Sequence, residues 1–195
     1  MNHEPSPLRV ALFDYGVGNL HSLGKALEHA GADVLVTNDW TEALDRDALV
    51  LPGVGAFSAA LEALPDDRSE IVERVAGGMP TLGICLGMQF LAGFYGVNVG
   101  RVKNPVHGSQ AIISHRRDSL FKGIPAQFKA ARYNSLGLYP EGSKDLEFIA
   151  YEKNSGAVMA LKHRHLPFAG LQFHPESFLT EHGEKMIKNF TEFYV

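Results

Sequence analysis

The sequence lacks several features that would each have indicated a class of protein. Its 195 residues include one cysteine, which excludes a disulfide within the chain and fits a reducing, cytoplasmic location. No apolar run approaches the roughly 18 residues that a membrane span requires. Residues 1–8 are polar and contain proline, without the apolar core of a signal peptide. We therefore expect a cytoplasmic protein that neither spans a membrane nor depends on disulfides.

A basic character is missing as well. The formal net charge is −4 and no polybasic stretch is present, so neither nucleic acid nor a membrane surface is expected as a partner. The sequence contains no internal repeat, no low-complexity segment and no linker. Its hydrophobic fraction of 45% is sufficient for a full core, and we expect residues 1–195 to form a single domain.

The pattern of apolar residues changes between the two halves of the sequence. The first half alternates strands and helices, with strands predicted at residues 9–14, 32–36, 48–51 and 79–84 and helices at residues 20–30, 69–76 and 86–94. The second half has β-rich stretches at residues 106–115, 127–139, 146–151 and 157–163, followed by a helix at residues 181–193. We therefore expect an α/β fold with a mostly parallel central sheet, flanking helices and an additional antiparallel β portion.

The only cysteine lies between two glycines, where a predicted strand meets a predicted helix. Residues 83–87 read GICLG, and the glycines permit a strained turn that leaves room for a substrate. The N–H groups and the dipole at the start of a helix also favour the thiolate of Cys85. This pattern predicts a covalent catalyst. The alternative is a buried, unreactive cysteine, which is the usual state of a free cysteine.

A thiol nucleophile needs a base, and the base needs a group that orients it. An apolar run leads to His174 and Glu176, which are two residues apart and point to the same side if the chain is extended. A carboxylate beside an imidazole fixes its tautomer and supports its charged form. We therefore predict that Cys85, His174 and Glu176 act together. The alternative for His174, beside Pro175, is a turn residue with no chemical role.

Two motifs carry a family resemblance. Residues 83–89 (GICLGMQ) and 172–177 (QFHPES), in this order, resemble the class I, triad-type glutamine amidotransferases, and the resemblance extends over nearly the whole chain. It implies an enzyme that hydrolyses L-glutamine to glutamate and ammonia, with no cofactor and no metal. Cys85 matches the nucleophile, His174 the general base and acid, and Glu176 the residue that orients the histidine.

The resemblance also implies how the substrate is held. Backbone N–H groups of Gly53, Val54 and Leu86 would form an oxyanion hole for the tetrahedral intermediate. The full set of expected substrate-binding residues is Gly53, Val54, Gly55, Leu86, Gln89, Ser135 and Leu136. The family usually passes ammonia to a synthase, so a synthase subunit is the expected partner in a hetero-oligomer.

The two halves of the sequence resemble different members of the family. The glutaminase subunit of imidazole glycerol phosphate synthase, in histidine synthesis, is similar at residues 14–20, 51–57 and 87–89. The anthranilate and aminodeoxychorismate synthase glutaminases are similar at residues 105–108, 120–125, 132–136 and 174–183, except that Asn134 stands where they usually have histidine. The second match is longer and includes His174 and Glu176. A chorismate-using synthase is therefore the expected recipient of ammonia, with imidazole glycerol phosphate synthase as the alternative.

Three other classes of protein compete with this interpretation. A stand-alone cysteine hydrolase or peptidase of related fold would be expected to carry histidine directly after the cysteine, where this chain has Leu86. A metal-binding protein is suggested by His163 and His165, but no cysteine cluster or His-Glu-x-x-His motif accompanies them. We expect that pair to be solvated and structural. A non-enzymatic binding module is the third alternative, and it would release no glutamate from glutamine.

Overall fold

The computed structural model describes residues 6–16, 20–53, 69–103, 105–106, 108–141 and 143–195. The strands of these residues are β1 (Arg9–Phe13), β2 (Asp33–Thr37), β3 (Ala48–Leu51), β4 (Thr81–Ile84), β5 (Asn98–Arg101), β6 (Ser109–His115), β7 (Gln127–Arg132), β8 (Leu136–Tyr139), β9 (Leu146–Glu152), β10 (Val158–His163) and β11 (Phe168–Leu171). The helices are α1 (Leu20–His29), α2 (Trp40–Leu44), α3 (Ser69–Ala76), α4 (Leu86–Phe94) and α5 (Gly183–Phe193), with a 3₁₀ turn at Ser119–Phe121.

Within the described part of the chain, nine strands form one mixed sheet in the order β2-β1-β3-β4-β11-β10-β9-β6-β7. Neighbours from β2 to β11 are parallel, and neighbours from β11 to β7 are antiparallel. Strands β5 and β8 pair separately in a small antiparallel sheet. The predicted α/β fold is confirmed, and its antiparallel portion is continuous with the central sheet.

Helices cover both faces of the sheet. Successive residues of a strand point to opposite faces, so each central strand contributes side chains to both layers. Val10 and Leu12 of β1 belong to a buried cluster that includes residues of α1 and α5. Ala11 and Phe13 belong to a second cluster, on the other face, with residues of α2, α3 and α4. No helix in the described ranges is long and apolar enough to cross a membrane.

The β-rich stretch predicted over residues 127–139 forms two strands, which the structure divides between two sheets. Strand β7 pairs with β6, whereas β8 pairs with β5. The side chain of Asn134 stabilises the connection between β7 and β8 through two hydrogen bonds. It accepts a hydrogen bond from Nε of Arg132 at 3.1 Å and donates one to the carbonyl oxygen of Leu136 at 2.8 Å. Such local side-chain bonds compete with the ladder of a sheet.

Three adjacent parallel strands, β3, β4 and β11, end at the same edge of the sheet, which is where ligands bind in such folds. Leu171, the last residue of β11, is level with Ile84, the last residue of β4. The residues that follow them, Gln172 and Cys85, therefore lie side by side. The N–H of Cys85 donates to the carbonyl oxygen of Leu171 at 2.6 Å, which ties the two strand ends together.

Away from this edge, the carboxylate of Asp118 joins three parts of the fold. It is 6% exposed and accepts hydrogen bonds from Nζ of Lys162 at 2.6 Å, the hydroxyl of Tyr194 at 2.9 Å and the N–H of Leu120 at 3.0 Å. Burial by itself would raise the pKa of Asp118. The bonds from these three groups outweigh burial, and the pKa lies below its usual value.

We expect Asp118→Asn to lower the free energy of unfolding by roughly 2–3 kcal/mol at pH 7, because the Lys162 ammonium loses the nearer of its two charged partners among the described residues, Asp118 at 2.6 Å, and keeps Glu147 at 3.8 Å. A carboxyl group whose pKa is lowered by folding stabilises the protein above its unfolded-state pKa, near pH 4. That contribution is lost as the pH falls through the folded-state pKa. The difference between wild type and variant should therefore shrink between pH 7 and pH 3 in urea unfolding.

Asp45→Asn is the matched control, because the side chain of Asp45 is 81% exposed. Its unfolding free energy should stay within about 0.5 kcal/mol of the wild type. A destabilisation by Asp118→Asn that is equally large at pH 3 and pH 7 would contradict the role assigned to the charge.

Candidate active site

Cys85 lies at the turn from β4 to α4 in a backbone conformation that is uncommon for a residue with a side chain. Its φ is 50° and its ψ is −101°. The glycines on either side permit this turn: a Cβ on Gly83 would lie 2.6 Å from the carbonyl carbon of Gly87, and a Cβ on Gly87 would overlap the carbonyl oxygen of Leu51. The sharp strand-to-helix turn predicted around the cysteine is therefore confirmed.

The thiol lies at the amino-terminal end of α4. Cys85 is a free cysteine, 8% exposed, and it occupies the residue just before the helix. Leu86 is the first residue of the helix, so its N–H has no hydrogen-bond acceptor within the helix. This end of a helix favours negative charge. The position suits both a thiolate and an N–H donor for an oxyanion.

His174 and Glu176 lie in a turn beyond β11, so the extended chain expected to align them is wrong. The N–H of Ser177 donates to the carbonyl oxygen of His174 at 3.2 Å within this turn. The two side chains meet all the same. Nδ1 of His174 donates to Oε1 of Glu176 at 2.7 Å, and the side chains are 14% and 13% exposed.

Gly53, just beyond β3, shows how closely Cys85 and His174 approach each other. A Cβ on Gly53 would lie 2.6 Å from Cβ of Cys85 and 2.8 Å from Cε1 of His174. The two side chains therefore border the same glycine, although they are far apart in the sequence. Val54 and Gly55, which were predicted to bind substrate together with Gly53, lie outside the described residues.

The neighbours of His174 favour its charged form. Burial lowers the pKa of His174, but interactions with Cys85 and Glu176 outweigh burial and raise it from 6.5 to about 10. Nε2 of His174 and Oε2 of Glu176 are buried and have no hydrogen-bond partner at bonding distance among the described residues. An imidazolium beside a thiol is typical of an activated cysteine nucleophile.

The turn that carries His174 is held against β7 by contacts that sequence reasoning missed. The hydroxyl of Thr180 donates to the carbonyl oxygen of His174 at 2.6 Å and accepts from the N–H of Ala131 at 3.0 Å. The N–H of His174 donates to the carbonyl oxygen of Ala131 at 3.2 Å, and the ring of Tyr133 meets the imidazole edge to face at 5.3 Å. The positions of Tyr133 and Thr180 within the quoted motifs were the only signal for them.

Several residues predicted to bind substrate come together near Cys85. Gln89 lies in the first turn of α4, and its Nε2 donates to the carbonyl oxygen of Leu136 at 3.1 Å and to Oε1 of Gln172 at 3.0 Å. Ser135, next to Leu136, is exposed. Gln172 was assigned no role from the sequence, yet it is fully buried and its Nε2 lies 3.5 Å from Sγ of Cys85.

The histidine pair has a structural role, but His163 is not solvated as expected. It is 9% exposed, and its Nδ1 accepts hydrogen bonds from the N–H groups of His165 at 3.1 Å and Leu166 at 3.0 Å. It therefore shapes the turn between β10 and β11. In the part of the chain that the structure describes, no group of three or more histidine, cysteine or acidic residues could hold a metal ion.

The chain matches a known protein family over nearly its whole length. The family model of class-I glutamine amidotransferases matches residues 11–193, and the chain belongs to this family. The aminodeoxychorismate/anthranilate synthase component 2 of Bacillus subtilis (strain 168) is 34% identical over 82% of this chain and 80% of its own length. The imidazole glycerol phosphate synthase subunit HisH of Nocardia farcinica (strain IFM 10152) is 38% identical over 94% and 97%.

The fold also has close structural neighbours. The crystal structure of a putative GMP synthase subunit from Thermoplasma acidophilum superimposes with a TM-score of 0.84 at 25% identity, covering 97% of this chain and 94% of that chain. A glutamine amidotransferase from Thermotoga maritima superimposes with a TM-score of 0.76 at 16% identity, covering 96% and 97%, and shares the fold. The predicted family resemblance is confirmed, including the similarity to both groups of synthase components.

Proposed function

We propose that this chain is a glutaminase subunit, in which Cys85 is the nucleophile, His174 the general base and acid, and Glu176 the group that orients His174. The observation that carries the proposal is the approach of Cys85 and His174 to the same glycine, Gly53, while Glu176 bonds to Nδ1 of His174. Family membership supports hydrolysis of glutamine as the reaction. We further propose that residues 1–195 form one such domain and that it acts in the cytoplasm.

The reaction follows from this arrangement. The thiolate of Cys85 attacks the side-chain carboxamide of L-glutamine, and the proton from the thiol resides on His174. N–H groups of Gly53, Val54 and Leu86 stabilise the oxyanion of the tetrahedral intermediate, where loss of one donor typically costs about 10²–10³-fold in rate. His174 then protonates the departing ammonia. Water, activated by the neutral His174, cleaves the thioester and releases glutamate.

We assign to glutamine binding the residues Gly53, Val54, Gly55, Gln89, Ser135 and Leu136. Both hydrogens of the Gln89 amide nitrogen are used, one by Leu136 and one by Gln172. Only Oε1 of Gln89 is left to contact a ligand, so we expect it to accept a hydrogen bond from an N–H of the substrate. Leu136 is the first residue of β8 and Ser135 directly precedes it, so both belong to the same proposed site.

The recipient of ammonia is proposed to be a chorismate-using synthase, either anthranilate or aminodeoxychorismate synthase, in a hetero-oligomer. The motif at residues 174–183, which contains His174 and Glu176, and the similarity to the Bacillus subtilis component 2 support this partner. The second candidate for the recipient is imidazole glycerol phosphate synthase, of which this chain would then be the glutaminase subunit. It is favoured by the Nocardia farcinica HisH relative, which is similar over more of both chains.

Glutamate release from L-glutamine tests both parts of the proposal. We expect slow hydrolysis by the chain alone and at least about tenfold stimulation by one of three synthase subunits, those for anthranilate, aminodeoxychorismate and imidazole glycerol phosphate, because the family couples hydrolysis to its partner. Stimulation by the imidazole glycerol phosphate synthase subunit alone would contradict a chorismate-using partner and support imidazole glycerol phosphate synthase instead. Absence of glutamate with every one of the three would show that the chain is not a glutaminase.

A further inference from the structure

The side chain of Gln172 connects the candidate nucleophile to the residues assigned to glutamine binding. Gln172 is the first residue after β11, is completely buried, and points its amide towards Sγ of Cys85 at 3.5 Å. Its other amide atom meets Nε2 of Gln89 at 3.0 Å. The reaction as described above does not use this amide, although a buried polar group next to a reacting atom affects the charge of that atom.

The orientation of the Gln172 amide follows from its neighbours. The carbonyl oxygen of Leu136 only accepts hydrogen bonds, so Gln89 must turn its nitrogen towards it. The same nitrogen meets Gln172, and the atom of Gln172 that faces it must therefore be the oxygen. The nitrogen of Gln172 is then the atom that faces Cys85, and it brings a donor to the sulfur.

A second amide fixes the position of the Leu136 carbonyl. Nε of Arg132 only donates, so Asn134 must present its oxygen to Arg132, at 3.1 Å, and its nitrogen to Leu136, at 2.8 Å. Arg132 and Asn134 are buried, at 5% and 3% exposure. Buried polar groups are stable only when they are hydrogen-bonded, and here each group meets a matching partner.

We propose that Gln172 stabilises the thiolate of Cys85 by donating a hydrogen bond to Sγ, and that Gln89, Asn134 and Arg132 are positioning residues that hold its donor towards the sulfur. The inference rests on the proposed function, in which this sulfur is the nucleophile. A donor that bonds to the charged form of a group favours that form. The hydrogen-bond chain therefore links the glutamine-binding residues to the reactivity of the thiol.

Two substitutions of Gln172 separate the donor from the packing. Gln172→Glu keeps an oxygen for Gln89 and replaces the donor to Cys85 with another oxygen, whereas Gln172→Met fills the space and removes both bonds. Among the described residues, the titratable groups that the structure places at the sulfur are His174 and, behind it, Glu176. Both remain in the two variants, so a change in the pH profile of the thiol comes from position 172.

The readout is alkylation of the single cysteine by iodoacetamide. In both variants we expect the midpoint of the rate–pH profile to rise by about one pH unit and the rate below that midpoint to fall by up to about tenfold, with the larger change for Gln172→Glu. For Gln172→Glu, the kcat for glutamine should fall while KM changes little, because this variant keeps the bond to Gln89 and loses the one to the nucleophile.

Asn189→Asp is the matched control. Asn189, in α5, is also a buried amide. Its Nδ2 donates to the carbonyl oxygens of Leu120 at 2.9 Å and Lys122 at 3.1 Å. This variant should lose stability, as the Gln172 variants do, but keep the wild-type alkylation profile.

Folded Gln172 variants that alkylate with the wild-type profile would overturn the inference. If neither variant folds, the side-chain amide resonances of Gln172 in the wild-type chain provide the test. They should shift with pH, and the shift should be absent after Cys85→Ala; resonances that do not respond to pH would equally overturn it. Alkylation requires no glutamine, so this result does not depend on whether the chain proves to be a glutaminase.

Discussion

Replacement of Cys85 by alanine should abolish glutamine hydrolysis, with a loss of at least about 10⁴-fold in kcat, because no thioester can form without the sulfur. Cys85→Ser should be nearly as inactive, since a hydroxyl is far less acidic than a thiol at the same position. Glutamate release, measured in the presence of whichever synthase subunit stimulates the wild type, is the appropriate assay.

Binding to that synthase provides the control for Cys85→Ala. The cysteine is 8% exposed and its side chain is small, so the variant should form the same complex as the wild type. The synthase should still accept free ammonia in this complex. Glutamine turnover by either Cys85 variant at a rate near that of the wild type would refute the assignment of the nucleophile.

Gly53→Ala should reduce kcat by about 100-fold, although it adds only a methyl group. The new Cβ would lie 2.6 Å from Cβ of Cys85 and 2.8 Å from Cε1 of His174, so the thiol and the imidazole must move away from it. A misplacement of about 1 Å between reacting groups is enough for an effect of this size. Single-turnover kinetics with glutamine would measure the chemical step directly.

Gly24→Ala is the matched control for Gly53→Ala. Gly24 is buried in α1, its φ is negative, and a Cβ there would make an ordinary contact of 3.8 Å with Leu12. Alanine in a helix should raise the free energy of unfolding by about 0.5–1 kcal/mol and leave kcat unchanged. If Gly53→Ala turned over glutamine as fast as Gly24→Ala, the close approach at Gly53 would not be required for catalysis.

The elements that could be predicted are those with strong local patterns. Helices α3 and α4 and strand β3 begin and end where the sequence predicts them. Helix α2 was not predicted, because five residues are too few for a periodic pattern; it depends on Asp39, whose side chain accepts hydrogen bonds from Thr41 and Glu42. Strand β5 was missed as well, since its four residues are stabilised by pairing with β8, a distant partner.

The sequence by itself determined the family, the cysteine at a strand-to-helix turn and the histidine with its carboxylate, because each depends on residues that are close together in the chain. Only the tertiary structure decided which residues surround the sulfur. Cys85 meets both Gly53 and Gln172 because β3, β4 and β11 are adjacent parallel strands in matching register. The donor on Gln172 faces Cys85 because the carbonyl of Leu136, in β8, orients the amide of Gln89, in α4, and that amide in turn orients Gln172. Strand register and amide orientation arise from long-range pairing, which no local pattern of residues reveals.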